Sequence, residues 1–218
     1  MNKHKRWLLP LLFVVLLAPF TPWLDLSIAH YFYDAGKDSA THFMTAPWID
    51  FMYHWGVWIP NLFAILAVPF LFFKKWRKPA LVITLTAIVG SGLIAHGILK
   101  DYWGRPRPKQ VEMFGGTQEY RPFWRPNFHP AEPSRSFVCG HCSIGFLFLT
   151  LVILGLRKAS KPLYWTGIAL STIFGGGLGL ARMAAGGHFF SDVLFAALLL
   201  WWTSLSMDWL VWADENTH

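Results

Sequence analysis

The stretch from Phe189 to Trp212 reads FFSDVLFAALLLWWTSLSMDWLVW and carries charge only at Asp192 and Asp208. A helix needs about 20 mainly apolar residues to cross the hydrocarbon core of a bilayer, so this stretch predicts a membrane-spanning helix. Earlier apolar segments run from Trp7 to Leu24, Val57 to Phe73, Ala80 to Leu99, Ser143 to Leu156 and Leu163 to Ala181. Together the six segments predict an all-α bundle of six transmembrane helices, in a single domain over residues 1–218.

The amino-acid composition supports a membrane protein. Hydrophobic residues make up 54% of the 218 residues and aromatic residues 17%, whereas charged residues are only 14% and are clustered. The formal net charge of +7 raises the question of a nucleic-acid partner. The 19 Lys and Arg residues, however, fall in short groups between apolar segments. We therefore expect no nucleic-acid partner, and the expected partners are the lipid bilayer and a phosphate-bearing membrane lipid.

Basic residues beside the apolar segments indicate the orientation of the chain in the membrane. The clusters on one side of the predicted bundle are Lys3, Lys5 and Arg6; Lys74, Lys75, Arg77 and Lys78; and Arg157, Lys158 and Lys161. Because cytoplasmic loops are rich in Lys and Arg, this side and both termini are predicted to be cytoplasmic. The extracytoplasmic side then receives loops at about residues 25–56, 100–142 and 182–188. The basic start also fits a signal peptide, but Pro10, Pro19 and Pro22 argue against its cleavage.

The long extracytoplasmic loop departs from this charge rule. It carries Lys100, Arg105, Arg107, Lys109, Arg121, Arg125 and Arg135 on the side that should be poor in positive charge. Long loops cross the membrane with little regard to charge, which accounts for part of the excess. It does not account for the spacing of these residues, so we expect an anion-binding site on this side.

Polar residues stand at the extracytoplasmic ends of the apolar segments, where ionisable side chains are costly and function is the first interpretation to test. His188 and Asp192 are four residues apart, so on a helix the carboxylate can hold one imidazole nitrogen while the other is free to attack. Arg182, across a glycine-containing turn, adds an anion ligand beside that histidine.

A second histidine, His141, follows Gly140, and both lie in the first turn of the fourth helix if that helix begins near Cys139. Free backbone N–H groups at a helix start favour an anion. A histidine there could transfer a proton on the opposite side of a phosphate. Lys100 and Arg107 supply further positive charge. These residues by themselves do not decide which histidine attacks.

This set of residues resembles the type 2 phosphatidate phosphatase superfamily of membrane lipid phosphatases, whose pattern is K-x6-R-P, then P-S-G-H, then S-R-x5-H-x3-D. The corresponding stretches are KDYWGRPRP at 100–108, VCGH at 138–141 and ARMAAGGHFFSD at 181–192. The chain departs from the pattern at Val138, Cys139 and Ala181. A thiol at position 139 is a poorer hydrogen-bond donor than the usual serine hydroxyl.

The resemblance implies a reaction that needs neither a metal nor another cofactor. His188 would take the phosphoryl group as a phosphohistidine, Asp192 would orient it, and His141 would protonate the leaving oxygen and later activate water. The phosphate-binding residues that the resemblance implies are Lys100, Arg107, Arg182, Gly140 and Cys139.

The superfamily includes lipid A, phosphatidylglycerophosphate and undecaprenyl pyrophosphate phosphatases, so the expected substrate is a phosphomonoester or pyrophosphate on one of these lipids or on phosphatidate. The basic, aromatic stretch 110–135 favours lipid A or another lipid with a large anionic headgroup. A phosphotransferase using the same phosphohistidine is the nearest alternative, followed by a non-catalytic binder of lipid phosphates. The resemblance implies a protein of the bacterial inner membrane with its site facing the periplasm.

The two cysteines, Cys139 and Cys142, form a C-x-x-C pattern that suggests a membrane thiol oxidoreductase as a further function class. No thioredoxin-like βαβ pattern accompanies them, and redox chemistry would leave Arg107, Arg182 and His188 without a role. A disulfide that tightens or inactivates the phosphate loop is another hypothesis. We expect instead two small buried residues.

Overall fold

The computed structural model describes residues 3–36, 42–130 and 132–216. Six helical segments, called spans 1 to 6 below, are long and apolar enough to cross a bilayer. They are Lys5–Phe32, Pro47–Phe72, Arg77–Tyr102, Gly140–Arg157, Lys161–Ala184 and Phe190–Val211. No β-strand occurs in the described ranges, which contain only the isolated bridges Tyr33 to Phe43 and Val111 to Gln118. The prediction of an all-α bundle with six membrane-spanning helices is confirmed.

Most spans combine more than one type of helix. The α-helices are Lys3–Leu17, Thr21–Phe32, Pro47–His54, Trp58–Ala67, Arg77–Leu85, Lys100–Tyr102, Gly140–Gly145, Leu149–Arg157, Lys161–Ser171, Gly177–Ala184, Phe190–Val211 and Ala213–Asn216. The 3-10 helices are Ala18–Phe20, Val68–Phe72, Pro108–Gln110, Glu112–Phe114 and Phe146–Phe148, and the π-helices are Thr86–Leu99 and Thr172–Gly176. Pro19 and Pro69 lie in the first two 3-10 helices, where the missing proline N–H interrupts α-helical hydrogen bonding.

Span 4 lies at the centre of the bundle and span 1 at its edge. In the most apolar window of each span, 67% of residues are buried in span 4 and 6% in span 1. Leu147 and Leu154 of span 4 pack in one apolar cluster with Val82 of span 3 and Leu200 of span 6. Span 1 instead turns side chains such as Leu16 outward, as a helix in contact with lipid tails can do without cost.

The loop between spans 1 and 2 is shorter than the sequence predicts. Span 1 continues through Asp25 to Phe32 and span 2 begins at Pro47, so the loop predicted at 25–56 shrinks to about residues 33–46. Asp25 does not end the helix because its carboxylate is fully buried and accepts hydrogen bonds from Arg105 and Ser191. A charge that is paired inside the protein is compatible with a spanning helix.

The segment between spans 3 and 4 folds over one end of the bundle, here called the site end because Lys100, His141 and Arg182 lie there. Val111 and Phe114 of this segment pack into a buried cluster with Phe43 from the first loop and Phe189 at the start of span 6. This apolar contact fixes the segment on the helix ends, so its basic residues are held in place around the site.

Candidate active site

The charged and histidine residues predicted from the sequence meet at the site end. They are Lys100 near the end of span 3, Arg107 in the following segment, His141 in the first turn of span 4, Arg182 in the last turn of span 5, His188 in the turn before span 6 and Asp192 in the first turn of span 6. Lys100 interacts electrostatically with Arg107 and Arg182. His141 interacts with Arg182 and His188. Their convergence creates a compact site in which cations surround two histidines.

His188 faces Asp192, and Asp192 is held firmly. Oδ2 of Asp192 accepts hydrogen bonds from the Ser136 hydroxyl at 2.5 Å and from the backbone N–H of Phe189 at 2.8 Å. The same oxygen lies 3.6 Å from Nδ1 of His188, which is longer than a direct hydrogen bond. Such contacts often tighten when a substrate binds, so this geometry suits a carboxylate that orients the imidazole.

His188 is buried, with 2% of its surface exposed. Burial lowers the pKa of His188 to about 4, with Arg182 and Arg107 acting in the same direction and Asp192 opposing them. The imidazole is therefore neutral at pH 7. A neutral ring has a nitrogen lone pair, which a nucleophile requires.

Arg182 presents an unused donor beside His188. Its guanidinium lies over the ring of Tyr53, with Cζ 4.8 Å from the ring centroid. Within the described chain its buried Nε has no hydrogen-bond partner. Gly187 leaves room for this guanidinium, because a Cβ on residue 187 would come within 2.5 Å of Nη2 of Arg182. An anion that accepted from Nε would satisfy this donor.

Tyr53 is a site residue that the sequence did not reveal. Its ring stacks on His141 with centroids 5.0 Å apart, and the Arg182 guanidinium also lies over it. Tyr53 falls in the loop predicted at about 25–56, but it lies in the helix Pro47–His54 at the start of span 2. Nothing in its aromatic composition distinguishes a ring inside the site from an interfacial ring.

Gly140 allows span 4 to begin directly against span 3. A Cβ on residue 140 would lie 2.4 Å from Nε2 of His96, whose Nδ1 is 2.8 Å from the carbonyl oxygen of Ser91. His96 therefore packs beneath the start of span 4. A cavity of about 450 Å³ opens beside His96, Gly140 and His141 and runs between spans 2, 3 and 4 as far as Ile65.

Lys109 adds a further cation that was noted only as part of the basic loop. Its backbone N–H donates to the carbonyl oxygen of Gly186 at 3.2 Å, which ties the loop to the turn before span 6. Burial lowers the pKa of Lys109, and the charges of Arg107 and Arg182 lower it further. Its ammonium group is thus close to the same cation cluster, whose mutual repulsion a bound anion would relieve.

The cysteines differ from our expectation. Cys139 and Cys142 are buried, as expected, but they are joined by a disulfide. The sulfur of Cys139 therefore carries no hydrogen to donate, and its backbone N–H already binds the carbonyl oxygen of Asp192 at 3.3 Å. The disulfide therefore removes the thiol donor at position 139, whereas the wider assignment of Cys139 to phosphate binding stays a prediction. Both sulfurs are also shielded from another thiol, which argues against the oxidoreductase alternative.

The sequence also did not indicate the position of Arg105. It is 1% exposed and lies behind Asp192, on the side away from His188. Its neighbour in the motif, Arg107, is only half-buried and interacts with the site cations. The number of charges in the loop does not distinguish an arginine that can contact a bound anion from one that binds groups of the protein itself.

Comparison with known proteins agrees with these motifs. The sequence model of the PAP2 superfamily matches residues 80–215, which include all three motifs. The chain belongs to the PAP2 superfamily. The resemblance to type 2 phosphatidate phosphatases is thereby confirmed.

Several relatives of this PAP2 protein have described activities. A lipid A 4'-phosphatase of Francisella tularensis subsp. novicida is 34% identical over 203 residues, which cover 88% of this chain and 86% of the relative. A lipid A 4'-phosphatase of Rhizobium leguminosarum is 32% identical over 58% of this chain and 57% of its own length. A dihydrosphingosine 1-phosphate phosphatase of Schizosaccharomyces pombe is 24% identical over 80% of this chain and 43% of its own. No solved structure gives a significant match.

Proposed function

We propose that this protein hydrolyses a phosphomonoester on lipid A or a related envelope lipid through a phosphohistidine on His188. It is a membrane lipid phosphatase, and so a phosphoric monoester hydrolase, of the PAP2 superfamily. The observation that carries the mechanism is a buried, neutral His188 between Asp192 and a group of cations. The substrate is supported by the relative that shares 34% identity over 88% of the chain.

The first chemical step would be attack by Nε2 of His188 on phosphorus. A P–N bond forms as the ester P–O bond breaks, and His141 donates a proton to the departing lipid oxygen. Asp192 stabilises the positive charge that develops on the imidazole. In the second step His141 removes a proton from water, the water oxygen attacks phosphorus and the P–N bond breaks, which regenerates His188.

The cations would act on the phosphoryl oxygens in both steps. Lys100, Arg107 and Arg182 lie around the histidines, and Nε of Arg182 has a hydrogen to donate. Charge spreads over the oxygens of a transferring phosphoryl group, so donors fixed before the reaction lower the barrier. Gly140 would let the phosphate approach the backbone at the start of span 4.

We further propose that the site end faces the periplasm from the inner membrane and that both termini are cytoplasmic. The basic clusters at the opposite end support this orientation. The disulfide between Cys139 and Cys142 also supports it, because disulfides persist in oxidising compartments such as the periplasm. The mostly apolar cavity beside His141 opens between spans and suits a lipid that arrives within the bilayer.

The decisive test is phosphate release by the purified protein from lipid A, phosphatidylglycerophosphate, phosphatidate and undecaprenyl pyrophosphate, with EDTA present. We expect release from lipid A, abolished in His188→Ala and retained in His129→Ala, which changes an exposed histidine of the long loop. His141→Ala should allow an acid-labile phosphoenzyme to accumulate. Phosphate trapped on another residue would overturn the nucleophile assignment, and transfer of phosphate to a second lipid would establish the phosphotransferase alternative.

A further inference from the structure

Arg105 is buried behind the catalytic pair and cannot reach a phosphate in the site. It lies in the segment between spans 3 and 4, two residues before Arg107, and is 1% exposed. A buried arginine is rare unless it is paired. Its surroundings therefore indicate what it does.

The guanidinium of Arg105 uses every one of its nitrogens. Nε donates to the carbonyl oxygen of Arg121 at 2.8 Å, and Nη1 donates to Oδ1 of Asp192 at 2.5 Å and to the hydroxyl of Ser191 at 2.8 Å. Nη2 donates to Oδ2 of Asp25 at 2.7 Å. The flat guanidinium also lies over the ring of Phe189, 4.6 Å from its centroid. These contacts on several sides hold the Arg105 guanidinium in one orientation.

This contact decides how the Asp192 carboxylate is turned. Oδ1 of Asp192 is bonded to Arg105, whereas Oδ2 accepts from Ser136 and Phe189 and faces His188. Rotation of the carboxylate would break the bond to Arg105. Arg105 therefore determines which carboxylate oxygen faces Nδ1 of His188, although it binds the opposite side of the carboxylate.

Asp25 holds the other arm of the Arg105 guanidinium. It comes from span 1, and it binds Arg105 through Oδ2 and the backbone N–H of Ser191 through Oδ1 at 2.8 Å. Burial alone would lower the pKa of Arg105, but Asp192 and Asp25 together raise it above its ordinary value. The guanidinium is therefore fixed between two carboxylates, one on each arm.

We propose that Arg105, anchored by Asp25, is a positioning residue that aims the Asp192 carboxylate at His188. This inference rests on the proposed phosphohistidine mechanism. Asp192 can stabilise the imidazole only if the correct oxygen faces Nδ1 of His188, and the bond from Arg105 to the other oxygen keeps it there. Asp25 reaches Arg105 from span 1, a helix outside the three motifs.

The test compares Arg105→Met and Asp25→Asn with the native protein on the lipid that it hydrolyses best. Because neither residue contacts the phosphate, we expect kcat to fall about 100-fold with KM unchanged, the loss typical of a misplaced catalytic group. Arg105→Lys, which keeps the charge but not the two-armed contact, should recover part of kcat. Arg107→Met, at the phosphate, should instead raise KM.

A matched variant separates positioning from stability. Arg157 binds Asp208 through hydrogen bonds of 2.6 and 2.8 Å at the opposite end of spans 4 and 6. Arg157→Met should lower the melting temperature in detergent and leave kcat unchanged. The inference is overturned if Arg105→Met or Asp25→Asn keeps native kcat. It is also overturned if kcat falls in proportion to the melting temperature in every variant, Arg157→Met included.

Asp25→Asn nearly preserves size and keeps the test decisive if Arg105→Met does not fold. Failure of the native protein to hydrolyse any lipid would instead reject the proposed function. A native protein that is active, with variants that are fully active, rejects only the role of Arg105 and Asp25.

Discussion

At the residue scale, the protonation state of His188 is the property most dependent on its surroundings. Burial and the neighbouring arginines lower its pKa to about 4, well below the ordinary value near 6.5. A lowered pKa means that the neutral ring persists as the pH falls from 8 to 5 and becomes protonated only near pH 4. The neutral form that the proposed nucleophile requires is thus present throughout the physiological range.

This protonation state can be measured without substrate. We expect the ring signals of His188 in histidine-labelled protein, assigned by their loss in His188→Gln, to stay constant between pH 8 and 5 and to move only below that range. A midpoint for His188 near 6.5, the ordinary value for a histidine side chain, would contradict the proposed electrostatic environment.

Arg182 allows a test of geometry at constant charge. In Arg182→Lys the positive charge remains, but the flat guanidinium over Tyr53 and the unpaired Nε are lost. A hydrogen bond to a charged group contributes about 1.5–3 kcal/mol, so KM for the lipid should rise about tenfold or more. Steady-state kinetics beside Arg125→Lys, an exposed arginine of the segment between spans 3 and 4, provide the comparison. Equal KM values in both variants would remove Arg182 from the phosphate site.

Some residues of the candidate site could be proposed from the sequence and others could not. Lys100, Arg107, His141, Arg182, His188 and Asp192 could be proposed because fixed spacings relate them within three motifs. Tyr53 and Asp25 could not, since they contact the site only after spans 1 and 2 pack against it. Arg105 was visible as a charge, but its burial behind Asp192 depends on a partner 80 residues away.

At the element scale, the lengths of the apolar segments predicted the six spans. The positions of charged and aromatic residues, however, led to wrong ends for some of them. Asp25 and the stretch 46–55 were interpreted as loop, yet both lie in spanning helices. The reason is that a buried, paired carboxylate and a ring inside a site leave the same sequence signal as exposed ones. The fourth apolar segment was predicted from Ser143, with an earlier start near Cys139 left as a condition, and span 4 begins at Gly140.

The turn between spans 5 and 6 sets the position of His188. Gly186 has φ of +62°, and a Cβ there would lie 2.5 Å from the ring of Phe43. We expect Gly186→Ala to destabilise the protein by more than about 1 kcal/mol, seen as a melting temperature lower by about 2–4 °C. Gly176→Ala is the matched control, because Gly176 is helical and a Cβ there would meet nothing within 4 Å. Equal melting temperatures for both variants would contradict this account of the turn.

The disulfide at the start of span 4 can be detected by mass spectrometry after alkylation. Cys139 and Cys142 are the two cysteines of the chain, and both are in the disulfide. Protein isolated without reductant should therefore gain no mass from an alkylating reagent after denaturation. The same protein, first reduced, should gain two adducts. Alkylation without prior reduction would show that the cysteines are free thiols.

At the scale of the whole molecule, the two ends of the bundle carry positive charge for different reasons. Lys74, Lys75, Arg157 and Lys158 flank the spans at one end, where we propose that they set the orientation of the chain. At the site end the cations are packed around histidines. Counting charge by loop cannot separate these uses, whereas the three motifs predict that the second set forms a phosphate site.

The orientation that follows from this difference can be tested with single cysteines, because the native disulfide leaves no free thiol in the described chain. Glu119→Cys places an exposed thiol in the loop over the site end, and Lys74→Cys places one between spans 2 and 3 at the opposite end. In intact spheroplasts, a membrane-impermeant maleimide should label Glu119→Cys at once and Lys74→Cys only after the membrane is permeabilised. The reverse pattern would show that the bundle has the opposite orientation, with the phosphate site facing the cytoplasm. In that reducing compartment the disulfide beside His141 would not be expected to persist, so the mass and labelling experiments must agree.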